Sequence, residues 1–282
     1  RCVGDPDKRF SEDALRMLRA IRFSCQLNFK IEKLTAESIR KNFKLVKNIS
    51  MERIQSEFTK IILSNEPDRG LMLLRNLGFS DFLVKEFKNL KIINCYDLYD
   101  DIHDTYGLIN SLPKKLHVRL AGLFYKVFNS ENAVEKCRTI LKKLKYDNNT
   151  INDTCNLVEN INSISCNMTR KKLKLLINSV GTENIFDLLD LQKSYLSYMD
   201  EYDTECIDIL KNRVSDILAS KDPIFIKDLA ITGNDLITEL NFKPGKNIGV
   251  ILNFLLENVM QTPELNNKED LLNLSKQFYS YN

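Results

Sequence analysis

Glycine and proline are scarce in this 282-residue sequence, nine and six respectively, and histidine is scarcer still with two. So few turn-formers leave few loops, and an apolar pattern that repeats every three to four residues then predicts an all-α protein. The two histidines and seven cysteines, at positions 2, 25, 95, 137, 155, 166 and 206, contain no CxxC pair. Neither a zinc site nor a disulfide framework is therefore expected, metal ligands are assigned to no residue, and a reducing cytoplasm fits. No apolar run reaches 18 residues, and the first is interrupted by arginines, so neither a membrane span nor a signal peptide is read. Strong charge of one sign is also missing: 41 Lys and Arg stand against 38 Asp and Glu, a formal net charge of +3. Dedicated nucleic-acid-binding domains carry a larger basic excess, so any RNA contact must come from local patches.

What is present is a hydrophobic content of 43%, enough for a sizeable core and one to three domains. One stretch stands out, Arg9-Phe10-Ser11-Glu12-Asp13-Ala14-Leu15-Arg16-Met17-Leu18-Arg19-Ala20-Ile21-Arg22-Phe23. Ser11 suits a helix N-cap and Glu12-Asp13 suit a first turn, so a helix is expected to begin at Ser11. Ala14, Leu15, Leu18, Ile21 and Cys25 make its core stripe. On the other face Asp13, Arg16, Arg19 and Arg22 follow at intervals of three, each about 60° from the last. A carboxylate beside a guanidinium offers acceptors and donors suited to a base edge, and further arginines suit phosphates. The plain alternative is an intrahelical ion pair on a solvated basic face, worth a few tenths of a kcal/mol.

The segment from Val3 to Glu32 closely resembles a signature motif of class II tRNA nucleotidyltransferases, the CCA-adding enzymes and their bacterial poly(A) polymerase relatives. The family's EDxxR element stands here as Glu12-Asp13-Ala14-Leu15-Arg16. The resemblance implies that Asp13 and Arg16 hydrogen-bond the Watson–Crick edge of incoming CTP or ATP, and that Arg19 and Arg22 contact the nucleotide or its triphosphate. Residues 48–63 resemble the next family motif, ISxERIxxELxKIL, with Phe58 in place of Leu. Ser50 reads as an N-cap, Ile54, Phe58 and Ile61 as a core stripe, and Glu52, Arg53 and Glu57 as braces for the first helix. The family also implies a head with paired carboxylates for two Mg²⁺ ahead of these motifs. No such pair follows a Gly-Ser element here. Asp100-Asp101, Asp187 with Asp190, and Asp200 with Asp203 read as ordinary surface, so the catalytic residues are expected to be absent from this chain.

Further along, Asn28 replaces a usual Gly where a left-handed helix end is needed, and Thr35 reads as the cap of a helix to about residue 43. A helix is expected over 69–77, stopped by Gly78, with Phe79–Phe87 continuing it. The family often embeds a metal phosphohydrolase signature, LLHDIGK, in its middle. Here Tyr125-Lys126 stand at the His-Asp position, so that activity is excluded, and His103-Asp104 read as structure. Residues 133–145 form a helix burying Val134, Cys137, Ile140, Leu141 and Leu144 and exposing Lys136, Arg138, Lys142, Lys143 and Lys145. Thr169 caps a second basic helix opening with Arg170-Lys171-Lys172-Leu173-Lys174. Both faces could track duplex phosphates, and neither has interleaved aromatics for base stacking. Residues 181–218 read as helix with Phe186, Leu189, Tyr195, Leu196 and Met199 in the core, ahead of a boundary at Asp222-Pro223. The segments 226–237 and 243–252 resemble the C-terminal tail of bacterial CCA-adding enzymes, with Asn241 again in place of a Gly and Pro244-Gly245 before a helix packed by Ile248, Ile251, Leu252, Leu255 and Val259.

These readings predict an elongated all-α chain. Residues 1–66 form a neck with the nucleotide-selecting motif and RNA-binding helices, 67–150 a helical body, and 151–282 a body and tail that bind tRNA. The implied substrates are CTP and ATP, the implied ion is Mg²⁺ on the head, and the implied partner is tRNA, gripped at acceptor stem and elbow. DNA and membrane are not expected as partners. The competing readings are a non-catalytic helical RNA-binding protein, or a relative that adds poly(A), A alone or CC alone.

Overall fold

The computed structural model describes residues 1–77, 107–127, 132–198 and 204–281. Every regular element among them is helical. By contacts the chain forms two compact units, Arg1–Ile161 with Asp190–Tyr202, and Asn162–Leu189 with Asp203–Asn282. Asp222-Pro223, expected as a boundary, lies inside the second unit.

In the first unit the chain runs through α1 (Pro6–Glu12), α2 (Leu15–Leu27), α3 (Lys33–Asn42), a 3-10 segment (Phe43–Asn48), α4 (Met51–Ile62), α5 (Pro67–Asn76), α6 (Leu116–Val127), α7 (Ala133–Lys143) and α8 (Asn148–Asn160). Helix α2 packs on α4 and α5, α1 packs on α3, and α8 joins α6 to α7. The α2–α4 seam buries Leu15, Leu18, Ile21 and Cys25 with Ile54, Phe58 and Ile61, each large side chain contributing about 1.5–3 kcal/mol. Gly70 lets α5 approach closely, since a Cβ there would collide with the side chains of Ile61 and Cys25. Arg119 of α6, 2% exposed, donates to the carbonyls of Ile62 at 2.7 Å and Ser64 at 2.8 Å. It thereby satisfies acceptors that the end of α4 leaves open.

The second unit contains α9 (Arg170–Val180), α11 (Glu205–Ala219), α12 (Gly233–Leu240), α13 (Lys246–Gln261) and α14 (Lys268–Tyr281), while α10 (Ile185–Tyr198) has residues in both units. Helix α13 is its centre, packed by α9, α12 and α14. Asn241 takes the expected left-handed conformation at φ 56°, as Asn28 does at φ 54°. Thr232 and Asp235 close a capping box on α12.

Several expectations are corrected. Helix α2 does not start at Ser11, because Asp5 caps an earlier helix with Pro6 in its first turn, and the chain becomes extended at Asp13. Ser11 lies in the last turn of α1, its hydroxyl donating to the Lys8 carbonyl at 2.7 Å. Glu32, not Thr35, occupies the N-cap of α3; Thr35 is buried in the first turn, its hydroxyl donating to the Glu32 carboxylate. Ser50 holds the N-cap position of α4 without a side-chain hydrogen bond. The core of α10 is Ile185, Leu188, Leu189 and Leu191, whereas Phe186, Tyr195 and Leu196 are half-buried, as Val134 is on α7. Asp187, read as surface, is 3% exposed. Cys166 and Cys206 form a disulfide across 40 residues of sequence, a pairing made by tertiary approach that no local spacing signals. Gly78, Phe79–Phe87, Asp100-Asp101, His103-Asp104, Met199, Asp200 and Asp203 lie outside the described residues.

Candidate nucleotide site

The break between α1 and α2 shapes the site. Asp13 is extended, with φ −148° and ψ 101°, and its Oδ1 accepts the Leu15 amide at 3.1 Å. The carboxylate thus serves as the side-chain cap of α2 instead of sharing a helical face with Arg16, Arg19 and Arg22. Arg16 does not pair with it. Its Nη1 donates to Glu12 Oε2 at 2.8 Å and to the Arg9 carbonyl at 3.0 Å, while Arg9 Nη1 donates to the same Glu12 oxygen at 3.1 Å. Both arginines hold the Glu12 carboxyl below its usual range, Arg16 first and Arg9 second. Because every bond of Arg16 among the described residues uses Nη1, the Nη2 and Nε hydrogens remain for another acceptor.

Arg19 and Arg22 turn toward α4. Glu57, with 4% of its side chain exposed, faces Arg22 Nε at 3.1 Å and Arg19 Nε at 3.9 Å, and receives a hydrogen bond from Lys60 at 3.3 Å. The Arg22 contact is close enough for an ion pair but not aligned as a hydrogen bond. The Arg22 guanidinium also lies 4.2 Å from the centre of the Phe23 ring. Arg53 reaches Asp13 Oδ2 at 3.4 Å. Two of the three expected braces, Arg53 and Glu57, therefore do meet the first motif; Glu52 is exposed.

Beside Arg16 opens a cavity of about 520 Å³ whose walls include the cations Arg1, Arg9, Arg16 and Lys30 and the rings of Phe10, Phe23 and Phe29, with no Asp or Glu. Such a lining suits an anion that carries an apolar, planar face. It does not suit a divalent cation. Among the described residues no three His, Cys, Asp or Glu side chains converge to hold a metal. The resemblance places its Mg²⁺ on the head and not at this cavity.

Residues 123–274, more than half of the chain, match the family described as "tRNA nucleotidyltransferase domain 2 putative". The chain belongs to this tRNA nucleotidyltransferase family. Residues 28–91 also match a family described as "Probable RNA and SrmB-binding site of polymerase A". Among curated relatives, the CCA-adding enzyme of Ligilactobacillus salivarius is 32% identical over 98% of this chain, and that of Pediococcus pentosaceus 31% over 97%. The chain spans 62% of the length of each of these two nucleotidyltransferases. A solved CCA-adding enzyme in complex with ATP aligns with a TM-score of 0.52 at 16% identity, covering 97% of this chain and 61% of that one. That likeness bears on the fold alone. Among the described residues no helix is long and apolar enough to cross a membrane.

Within this chain the five expected site residues fall into three groups. Glu12 and Arg16 bond each other, Asp13 caps α2 and meets Arg53, and Arg19 and Arg22 share Glu57. Arg9 and Lys30 were not foreseen as site residues. Arg9 stands inside the signature stretch, but its inward role depends on the α1–α2 break, which the spacing does not reveal.

Proposed function

We propose that this chain selects the nucleotide and holds the RNA in a tRNA nucleotidyltransferase that adds CMP, CMP and AMP to the tRNA 3′ end from CTP and ATP. The observation that carries the reading is that a carboxylate and a guanidinium three residues apart in sequence are each fixed by separate partners, the guanidinium lining a basic cavity. Asp13 is held by the Leu15 amide and Arg53, and Arg16 by Glu12 and the Arg9 carbonyl. Cytosine and adenine each carry an exocyclic amino group next to an unprotonated ring nitrogen on the Watson–Crick edge. A carboxylate accepts from the first and a guanidinium donates to the second. Uracil and guanine present a carbonyl and a ring N–H at those places, which would set acceptor against acceptor and donor against donor. Glu12 and Arg53 act here as positioning residues, and the cations around the cavity supply charge for phosphates. Transfer itself requires metal-holding carboxylates that these described residues do not bring together.

The test is nucleotide choice in the enzyme that contains this chain. Asp13→Ala and Arg16→Ala are each expected to lower discrimination of CTP and ATP against UTP and GTP by about 1–3 kcal/mol, roughly 5- to 150-fold, while leaving tRNA affinity near wild type. Unchanged selectivity in both variants would overturn the assignment.

A further inference from the structure

The two stretches that make the second unit, Asn162–Leu189 and Asp203–Asn282, are joined covalently close to where each begins. Cys166 of the first and Cys206 of the second share a disulfide across 40 residues of sequence. Of the six cysteines among the described residues, this pair is bonded, while Cys2, Cys25, Cys137 and Cys155 are thiols. Disulfide-stapled domains pair most of their cysteines; a solitary bond among residues that keep their other thiols free fits reversible redox chemistry. Accessibility points the same way. Cys166 is exposed, whereas Cys25, Cys137 and Cys155 are at most 1% exposed. Burial pushes the Cys25 thiol up to about 11, which keeps it protonated and inert. Around Cys166, residues 162–169 are mostly exposed, with Met168 their one buried side chain. So little buried apolar surface holds this segment that its order depends on the bond.

We infer that the Cys166–Cys206 bond is a reversible modification site, opened by low-molecular-weight thiols of the glutathione class and closed by their disulfides, and that its state governs how firmly residues 162–169 are fastened to α11. Opening begins when a thiolate RS⁻ attacks the exposed Cys166 sulfur, forming a mixed disulfide there and expelling Cys206 as a thiolate. Cys206 is half-buried at the second residue of α11, where the free amides of the first turn stabilise the leaving thiolate and the acids Glu205 and Asp208 offset part of that help. A second thiolate then removes the RS group from Cys166 as RSSR. In sum, two RSH are oxidised to RSSR, the protein disulfide is reduced, and the two protons end on the two cysteine sulfurs; closing is the reverse and consumes RSSR. The pairs of Arg170 and Lys174 with Asp222 also link the two stretches. The unit therefore keeps its fold when the bond opens, and the segment ahead of α9 is what loosens. The inference stands independently of the nucleotide-selecting role.

The test equilibrates the full chain in buffers that run from oxidised to reduced glutathione, then locates cysteines open to iodoacetamide by peptide mass mapping. Cys166 and Cys206 are expected to be protected in the oxidised buffer and to become alkylated together under excess reduced glutathione, while Cys25, Cys137 and Cys155 stay unlabelled in both. Over the same titration the melting midpoint should fall by on the order of 10 °C, the effect of opening a loop of this length. Amide hydrogen exchange over residues 162–169 should quicken by more than that of α13. The variant C166S/C206S should melt at the reduced wild-type midpoint in every buffer, which separates the bond from other effects of glutathione. Labelling of both cysteines in the oxidised buffer, a bond that survives every excess of reduced glutathione, or an equal wild-type midpoint in both buffers each overturns the inference. If C166S/C206S still shifts its midpoint with glutathione as the wild type does, the sensitivity lies elsewhere and the inference fails.

Discussion

Two basic runs in this molecule look alike in sequence and behave differently in the fold. On α3 and its 3-10 extension Lys33, Arg40, Lys44 and Lys47 are exposed and have no partner among the described residues, and only Lys41 is paired, with Asp7. On α9 the run Arg170-Lys171-Lys172-Leu173-Lys174 is drawn inward. Lys174 is 0% exposed, its Nζ donating to the Met260 carbonyl at 3.1 Å and pairing with Asp222 at 2.7 Å. Arg170 pairs with the same carboxylate at 3.0 Å and also donates to Ser220 at 2.9 Å, and Lys171 donates to Gln261 at 3.2 Å. Lys172 alone in this run keeps an exposed charge with no partner among the described residues. The expected RNA-tracking face of α9 is therefore largely an internal network that fastens α9 to α13 and to the turn after α11. A count of lysines and arginines does not distinguish adhesive from architectural charge; the position of the nearest carboxylate does.

The sharpest way to break this contrast is to remove the buried cation. Lys174→Met preserves the volume of the stem but leaves Asp222, with 18% of its side chain exposed, short of one partner. Losing one member of a buried pair costs about 3 kcal/mol. Urea unfolding monitored by helical circular dichroism should show an earlier transition, with affinity for an RNA hairpin at fixed low salt unaltered under native conditions. A variant as stable as wild type would mean that Lys174 is not interior.

Acid should expose the same network from the other partner. Burial would raise the Asp222 carboxyl, but hydrogen bonds from Lys174 and Arg170 outweigh it and hold the group below its usual range. A carboxylate depressed in the folded state contributes stability above its unfolded pKa, about 4, and loses it as pH falls through the lower folded value. Asp222→Asn lacks that contribution at every pH. The gap in unfolding midpoint between wild type and Asp222→Asn should therefore be full at pH 6 and close progressively below pH 4. A gap that stays constant down to pH 3 would show that Asp222 carries no such linkage.

The difference between the two runs also marks what could be read in advance. Asn28, Asn241 and Thr169 were legible because each acts on its own backbone within a few residues: two supply the left-handed turn, and Thr169 accepts from the Lys172 amide. Helix type and most of the α2–α4 seam followed from periodicity, which is likewise local. Glu57 was legible as a brace through the resemblance of its motif. Asp13 was misplaced because two capping signals compete within eight residues: Asp5-Pro6 and Ser11-Glu12-Asp13 are both plausible starts, and the earlier one prevails with Asp13 capping the second helix itself. Lys174 and the Cys166–Cys206 bond depend on partners 48 and 40 residues away, and periodicity carries no information about which distant loop arrives. The split of Arg16 from Arg19 and Arg22 belongs to the same class, since it is set by where α4 delivers Glu57.

The smallest effect is also the most direct comparison. Arg40 and Arg170 are both arginines on exposed helix faces, and half of the Arg170 side chain is solvent-accessible. Arg40 has no partner among the described residues, so Arg40→Ala should lower the salt slope of binding to an RNA hairpin by about 1. Arg170 is already balanced by Asp222, and an exposed pair of this kind adds at most about 1 kcal/mol to stability. Arg170→Ala should therefore change the slope by less than half as much as Arg40→Ala, with a stability loss much smaller than that of Lys174→Met. Equal slopes for the two single variants would show that α9 meets phosphates as readily as α3, and the distinction between the two basic runs would be lost.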